Sequence, residues 1–422
     1  MPKIWFISEV YYPDEQGTAF YTTGLAEGLA ADYRVGVLCS CPTVTARGAR
    51  VARREVRNGV VIERCIGTTF NKDILALRLV NILTYSLAIF VKALTRIKNG
   101  DIVFAVTSPP STPFIARFVC ALRNARCVLR VEDVYPEILV AAGMIREKGL
   151  FDRLLRFLTR WLYRSSDRVV VLGRDMMALA GKKLGKYGKT AQLIRSWADI
   201  DLVSPLPREE TPLLHRIGLQ DKFVVSCIGN MGRAQAIEFL FEAVTLLKDE
   251  ERVHFLFIGG GAKRKWMEQV IANRGLRNVT LLDQRPREEQ HDFLNACDIS
   301  MISLLPGMTG AGVPSRTYNI MAAGKPIIAV TGEDSEVAML VREEEIGWLA
   351  PPVNPNLLVA AIRDAMSDPA RLGKMGRNAS VAARTKFSRE KIIEEYRMLL
   401  EDMLSASGSF DTAGETTEKQ HI

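Results

Sequence analysis

Apolar residues fall along this chain in two alternating rhythms. Short runs of strand length, KIWFIS, RVGVLC, VVIERC, DIVFAV, CVLRVE and RVVVL, are separated by segments of helical period, including Gly17 to Ala30 and a long stretch from Asp73 to Lys98. Regular alternation of this kind predicts parallel sheets, because two parallel strands need a crossover that a helix supplies. A polar, Pro-containing passage, SWADIDLVSPLPREETP at Ser196 to Pro212, interrupts the rhythm. It then restarts with KFVVSCIG, VHFLFIG, NVTLL, CDISMISL and KPIIAV. The expected class is therefore α/β, with two doubly wound, Rossmann-like parallel-sheet domains at residues 1–198 and 213–387, a linker at 199–212, and a cleft between them. Ligands of such sheets sit beyond the carboxyl ends of the strands. Residues 388–404 read as a C-terminal helix that packs back on the first domain, with Ser388 as N-cap and Ile392, Ile393, Tyr396, Leu399, Leu400 and Met403 as its apolar stripe. Residues 405–422 are polar and are expected to be a disordered tail.

Composition narrows the function classes. At 422 residues, 48% hydrophobic and 25% charged, the chain is a soluble globular type with enough length for two cores. Its seven Cys lack paired spacing, which points to a reducing, cytoplasmic setting and to core thiols in place of a disulfide framework or a zinc site. The opening MPKIWFISEVYYPDE has too short an apolar run for a signal peptide. The segment LRLVNILTYSLAIFVKAL is interrupted by Arg78, Asn81 and Lys92, leaving less than the roughly twenty residues that a spanning helix needs. A net charge of +8 suits phosphates, nucleotides or lipid headgroups, and equally a plain soluble surface.

Candidate chemistry concentrates in three glycine turns that follow strands of the second half: IGNMGRAQ, IGGGAKRK and GAGVPSRTYNIMAAGKP. Glycine lets a backbone approach an anion closely, and a helix starting there presents unpaired N–H groups. None is a Walker loop and none is the G-x-G-x-x-G of a first strand, which argues against ATPases and dehydrogenases. No G-x-S-x-G elbow occurs, and His215, His254, His291 and His421 all lie beyond residue 200 without metal-ligand spacing. Carboxylates are then the titratable candidates of the first domain. Asp133, in VLRVEDVYPEI, is placed to project from the carboxyl edge of its strand as a catalytic group or to cap the next helix. Arg316 stands near a helix start just past the third glycine turn, and Arg233 stands similarly in the first; either guanidinium could grip a diphosphate, or lie solvated on a surface. Two fixed cations would stabilise a departing nucleoside diphosphate without a protein acid or a metal ion.

These residues resemble the GT-B fold nucleotide-sugar glycosyltransferases of family four, the retaining group that builds bacterial envelope and capsular polysaccharides. EVYYPDEQGTAFYTTGLAEGLAADYRVGVLC is similar to the family's opening strand, glycine loop and helix, and LIRSWADID to its approach to the linker. IGNMGRAQAIEFLFEA, FLFIGGGAKRK and VPSRTYNIMAAGKP are similar to the N-acetyl-fucosamine and colanic-acid transferase subgroup. The resemblance implies a nucleoside diphosphate sugar, UDP-linked, as co-substrate, a lipid-linked or glycan acceptor, no cofactor, no metal and no nucleic-acid partner. It implies donor contacts at Gly17, Gly229, Asn230, Gln235, Gly260 and Gly261, at Arg285 and Pro286 for the base, and at Val313, Pro314 and Ser315 for the diphosphate. Asn230 and Gln235 replace the family's usual Arg and Lys, with Arg233 as the substitute cation. Two family glutamates fall on Ala311 and Asn319; Asn319 can still serve the ribose, whereas Ala311 leaves a vacancy beside the sugar. The segments Leu75 to Lys98 and Leu150 to Arg164 are apolar enough either to pack on the sheet or to lie at a membrane surface. Two rivals stay open: a nucleotide-sugar 2-epimerase on the same fold, and a non-catalytic nucleotide-binding assembly partner.

Overall fold

The computed structural model describes residues 2–15, 17–42, 46, 48–68, 70, 74–186 and 190–411. In the first unit the order is β1 (Ile4–Ile7), α1 (Gly17–Leu29), β2 (Val35–Ser40), β3 (Arg54–Arg57), β4 (Val60–Cys65), α2 (Leu75–Arg96), β5 (Ile102–Val106), α3 (Thr112–Arg123), β6 (Arg126–Val131), α4 (Glu137–Ala141), α5 (Leu150–Ser165), β7 (Arg168–Val171), α6 (Arg174–Leu184) and β8 (Gln192–Leu193). The strands form an eight-stranded sheet in the order β3-β4-β2-β1-β5-β6-β7-β8. All pairings are parallel except that of the exposed edge strand β3 with β4, a hairpin whose alternation of charged residues gave no strand signal. β1 sits centrally, Phe6 pairing with Val37 on one side and Phe104 on the other, and the Phe6 and Phe104 rings stack at 4.8 Å. Central strands of such a sheet are covered on both faces, which is why they read as continuous apolar runs.

The second unit comprises α7 (Pro212–Arg216), β9 (Phe223–Ile228), α8 (Ile237–Leu246), β10 (Val253–Ile258), α9 (Arg264–Arg274), β11 (Val279–Leu282), α10 (Gln290–Asn295), β12 (Ile299–Ser303), α11 (Arg316–Ala322), β13 (Ile327–Val330), α12 (Glu336–Glu343), β14 (Gly347–Leu349), α13 (Pro355–Ser367) and α14 (Pro369–Thr385). Its six strands are wholly parallel, in the order β11-β10-β9-β12-β13-β14. Ala243, Phe257 and Ile362 are among the buried residues on one face, and Leu256, Ile320 and Ala383 among those on the other.

The last helix, α15 (Arg389–Asp411), returns to the first unit, where Ile392, Ile393, Tyr396, Leu399, Leu400 and Met403 join the cluster built from Ile4, Phe6, Leu25 and Val37. Its backbone continues past Leu404, where the apolar stripe ends, to Asp411; the rest of the tail expected at 405–422 lies outside the described residues. Two crossings join the units side by side, since the Ala198 N–H donates to the Phe387 carbonyl at 2.8 Å. The linker is not free chain: Asp199 pairs with Arg287 at 2.8 Å, and the Arg287 guanidinium lies 3.3 Å from the centroid of the Phe20 ring.

Candidate active site

One loop, from Gly310 to Arg316 between β12 and α11, touches both units along its length. Gly310 has φ +76°, a conformation that glycine adopts without strain, and its N–H donates to Asp175 Oδ2 at 2.9 Å. Gly312 pairs with Asp133 as an isolated antiparallel bridge, and the Val134 N–H donates to the Ala311 carbonyl at 2.8 Å. A Cβ placed on Gly17 would stand 3.3 Å from Ser315 Oγ, so the glycine loop opening α1 faces the start of α11 with no side chain between. Tyr21 spans the same gap, its hydroxyl donating to the Trp197 carbonyl at 3.1 Å and lying 3.4 Å from that of Ser315.

Arg316 is the unusual cation of this site. It lies against Gly229, where a Cβ would come within 2.8 Å of its Nη1, and Gly229 itself has φ +115°. Its Nε and Nη2 are buried without a hydrogen-bond partner, and no carboxylate pairs with it among the described residues. Burial holds its pKa below the usual guanidinium value. A buried, unpaired guanidinium is costly, and an anion that completes it removes that cost. Asp133, past the end of β6, is the opposite case. Burial pushes its carboxyl up to about 7, with the adjacent Glu132 adding to the effect. Glu132 is ion-paired to the buried Arg130.

The glycine turns are knitted to each other. Gly259 passes so close to the Gly229 carbonyl that a Cβ would sit 2.0 Å from it, and the Met231 N–H donates to the Gly260 carbonyl at 2.7 Å. Beside them, a Cβ on Gly261 would stand 2.5 Å from Asn230 Oδ1, while Gln235 Oε1 accepts from the Gly232 N–H at 2.9 Å. The structure thus brings Gly17, Gly229, Ser315 and Arg316 together, with Asp133 at the far end of the same loop beyond Val313 and Pro314.

Other expected residues are placed elsewhere. Arg233 does not join Arg316: it is exposed and lines a cavity of about 800 Å³ with Gln235, Lys263, Trp266 and, from the first unit, Ala141 to Gly143. The residues that line this cavity do not include Arg316. Arg285 is held by Glu289 at 2.6 Å, one helical turn on, and Pro286 precedes a single 3-10 turn. Asn319 is 4% exposed, and its amide oxygen accepts from the Asp199 N–H at 2.9 Å, which commits that oxygen to the linker. Ala311 is not beside an empty carboxylate site. It is fully buried in an apolar cluster with Leu304 and Met308, where a charged group would be desolvated.

Sequence reasoning missed the clasp behind the loop. Glu336, 1% exposed at the start of α12, accepts from Arg174 Nε at 2.9 Å and Arg195 Nε at 2.8 Å, and its own N–H donates to Asp175 Oδ2 at 3.1 Å. These partners are more than a hundred residues apart, so no local spacing signals them. Among the described residues no group of three or more His, Cys, Asp or Glu could hold a metal ion.

The family described as glycosyl transferases group 1 matches residues 214–381, and that described as a glycosyl transferase 4-like domain matches residues 16–193. The probable glycosyltransferase WbjE of Pseudomonas aeruginosa is 34% identical over 318 residues, covering 75% of this chain and 78% of that protein. The putative colanic acid biosynthesis glycosyl transferase WcaI of Escherichia coli K12 is 24% identical over 369 residues, 84% of this chain and 90% of its own length. Among solved structures, sucrose-phosphate synthase from Thermosynechococcus elongatus superposes with a TM-score of 0.78 at 19% identity, over 96% of this chain and all of that one. Anabaena HepE in complex with UDP-glucose superposes with a TM-score of 0.72 at 16% identity, over 95% of this chain and all of its own. At these identities the structures establish the GT-B arrangement of two facing parallel-sheet units.

Proposed function

The chain belongs to the glycosyl transferases group 1 family and is a glycosyltransferase; on that premise we propose that it moves a sugar, with retention at the anomeric carbon, from a nucleoside diphosphate sugar to a hydroxyl of a lipid-linked or glycan acceptor in envelope polysaccharide synthesis. The polysaccharide setting draws on WcaI, and UDP as the nucleotide draws on HepE. We take the reaction to run in the cytoplasm, and a lipid-linked acceptor would bring it to the inner face of the cell membrane.

The observation that carries this reading is the Arg316 guanidinium, whose Nε and Nη2 are buried without a partner and which lies against Gly229, next to the Ser315 that approaches Gly17 of the opposite unit. In the proposed step the bond from the anomeric carbon to the diphosphate oxygen breaks with its electron pair going to that oxygen. The acceptor oxygen bonds to the same face, and its proton passes to the departing diphosphate. Charge therefore develops on the diphosphate, where a fixed cation stabilises the transition state more than the ground state. With only seven residues, α11 adds less than the guanidinium does. Asp133, at the other end of the loop, orients the acceptor hydroxyl. No metal ion takes part.

The test is turnover of a panel of UDP-sugars with Arg316→Ala, with Arg316→Lys, and with the wild type plus a chelator, reading the anomeric configuration of the product by NMR. Loss of about a hundredfold or more in kcat for Arg316→Ala is expected, with partial recovery in the Lys variant and no effect of chelation. Unchanged turnover in Arg316→Ala removes the residue from the mechanism, and an inverted product removes retention.

A further inference from the structure

The first unit is apolar on its outer side as well as inside. On α2, Leu79, Leu83, Leu87 and Val91 recur at four-residue spacing and are 51–68% exposed, while Leu150, Leu154, Phe157 and Trp161 of α5 are 46–88% exposed. Phe118 and Leu122 of α3, both more than half exposed, lie between these rows. Phe90 stands 6.0 Å from Phe118, and Phe114 stacks on Trp161 at 6.4 Å, so the three helices form one layer over one face of the sheet. Scattered surface leucines need no explanation, but aligned rows on three adjoining helices mark an interaction surface. Residues 79–96 of α2 are long and apolar enough, by length and composition, to cross a membrane. Yet Tyr85, Ile89 and Ala93 of that helix pack against Trp5 and Val103 of the sheet, which lays it flat.

Two further observations say what covers this layer. Arg146, Arg153 and Arg160 are exposed beside the α5 row and carry no ion pair among the described residues, and only Glu147 opposes them on the exposed side of that stretch. The second is a pocket of about 160 Å³ between α3, α4 and α5, walled by Phe114, Leu139, Phe151, Leu155 and Tyr163, with Asp133 among its lining residues. Phe151 is itself 56% exposed on α5, so the pocket connects the apolar face with the carboxyl group proposed to orient the acceptor. A dry apolar cavity of this size holds a hydrocarbon about as large as benzene. It takes a short segment of a lipid and leaves the remainder needing an apolar medium.

We propose that the outer face of α2, α3 and α5 lies in the headgroup layer of an anionic bilayer, and that the pocket receives the first hydrocarbon segment of a lipid-linked acceptor whose hydroxyl then reaches Asp133. This rests on the glycosyl-transfer reading above for the acceptor's identity, while its tests read binding alone. The full chain is mixed with vesicles of phosphatidylglycerol and phosphatidylcholine in equal parts, and with phosphatidylcholine alone. Sedimentation with the anionic vesicles is expected, weakening with salt, and falling about tenfold in Leu83→Ser/Phe157→Ser at an unchanged melting temperature. Farnesyl phosphate, a soluble isoprenoid probe, is expected to bind, to resist displacement by inorganic phosphate, and to bind about tenfold more weakly in Leu155→Trp, which fills the pocket. Leu139→Phe repeats the pocket test should Leu155→Trp melt early. Absence of vesicle binding, or farnesyl phosphate binding that either pocket-filling variant leaves unchanged, overturns the proposal. So does a dimer that the double substitution dissociates, which would assign the face to a second copy of the chain. Absence of transfer by the wild-type chain from every UDP-sugar of the panel, with both binding results intact, would sink the enzymatic reading and leave the membrane surface standing.

Discussion

Asp133 and Arg316 show one physical cause acting in opposite directions. Burial raises the pKa of the acid to about 7 and lowers that of the base, each shift favouring the neutral form. Because the folded-state value of Asp133 lies above that of an unfolded Asp, near 4, the associated stability is present below about pH 4 and is lost as pH rises through about 7. If the carboxylate form orients the acceptor, kcat/KM should rise with pH to a plateau above about 7. In Asp133→Asn that limb should disappear and the plateau rate should fall. A profile that keeps its limb in the variant would assign the titration to another group. Thermal melts of the pair should show Asp133→Asn relatively more stable above pH 7 than at pH 4. Ala311 belongs to the same scale. Its zero exposure explains the apparent vacancy, since a methyl group completes the Leu304 and Met308 cluster where a carboxylate would be stranded.

At the scale of elements, the notable feature is how α15 reaches the chemistry of a strand at the other end of the chain. The Tyr396 hydroxyl accepts from Arg130 Nε at 3.0 Å, and Arg130, 1% exposed, also pairs with Glu132, the neighbour of Asp133. A buried cation depends on every partner it has, so removing one costs more than an ordinary hydrogen bond. Tyr396→Phe should therefore lower stability by about 2 kcal/mol with little change in packing volume. Urea denaturation checks the size of the loss. A change below about 0.5 kcal/mol would mean that Arg130 is satisfied by Glu132 and Thr22. The close seat of α15 is also visible at Gly28, where a Cβ would meet Ile393 Cδ1 at 2.1 Å.

For the molecule as a whole, the two units are closed on each other by polar contacts behind the cleft. Glu336 gathers Arg174 and Arg195 from the first unit, and the Asp175 carboxylate accepts from both Gly310 and Glu336 of the second. Glu336→Ala would leave two partly exposed arginines without their shared buried acid, at an expected cost of about 3 kcal/mol. Calorimetry should show a lower melting temperature, and the KM for the nucleotide sugar should rise, because Arg174, the neighbour of the Asp175 that accepts from Gly310 of the loop, loses its buried acid. An unaltered melting temperature would show that the apolar contacts alone hold the units together.

The strand and helix rhythm determined the fold class without help, because a doubly covered parallel strand must be apolar throughout and its crossover must be helical. For the same local reason the glycine turns, the edge position of Asp133 and the helix-start position of Arg316 were legible: each is set within a few residues of the chain. Arg233 and Arg316 look alike at that range, and only the folded molecule separates an exposed cation from a buried one. The linker contact of Asn319, the clasp of Glu336 and the Tyr396–Arg130 contact were invisible for a related reason, their partners lying 120, 141 or more, and 266 residues away. The sequence by itself determined which groups stand at the strand ends. Tertiary structure decided which of them are desolvated and left without partners, because solvent exclusion is a property of the assembled surfaces and of no single segment.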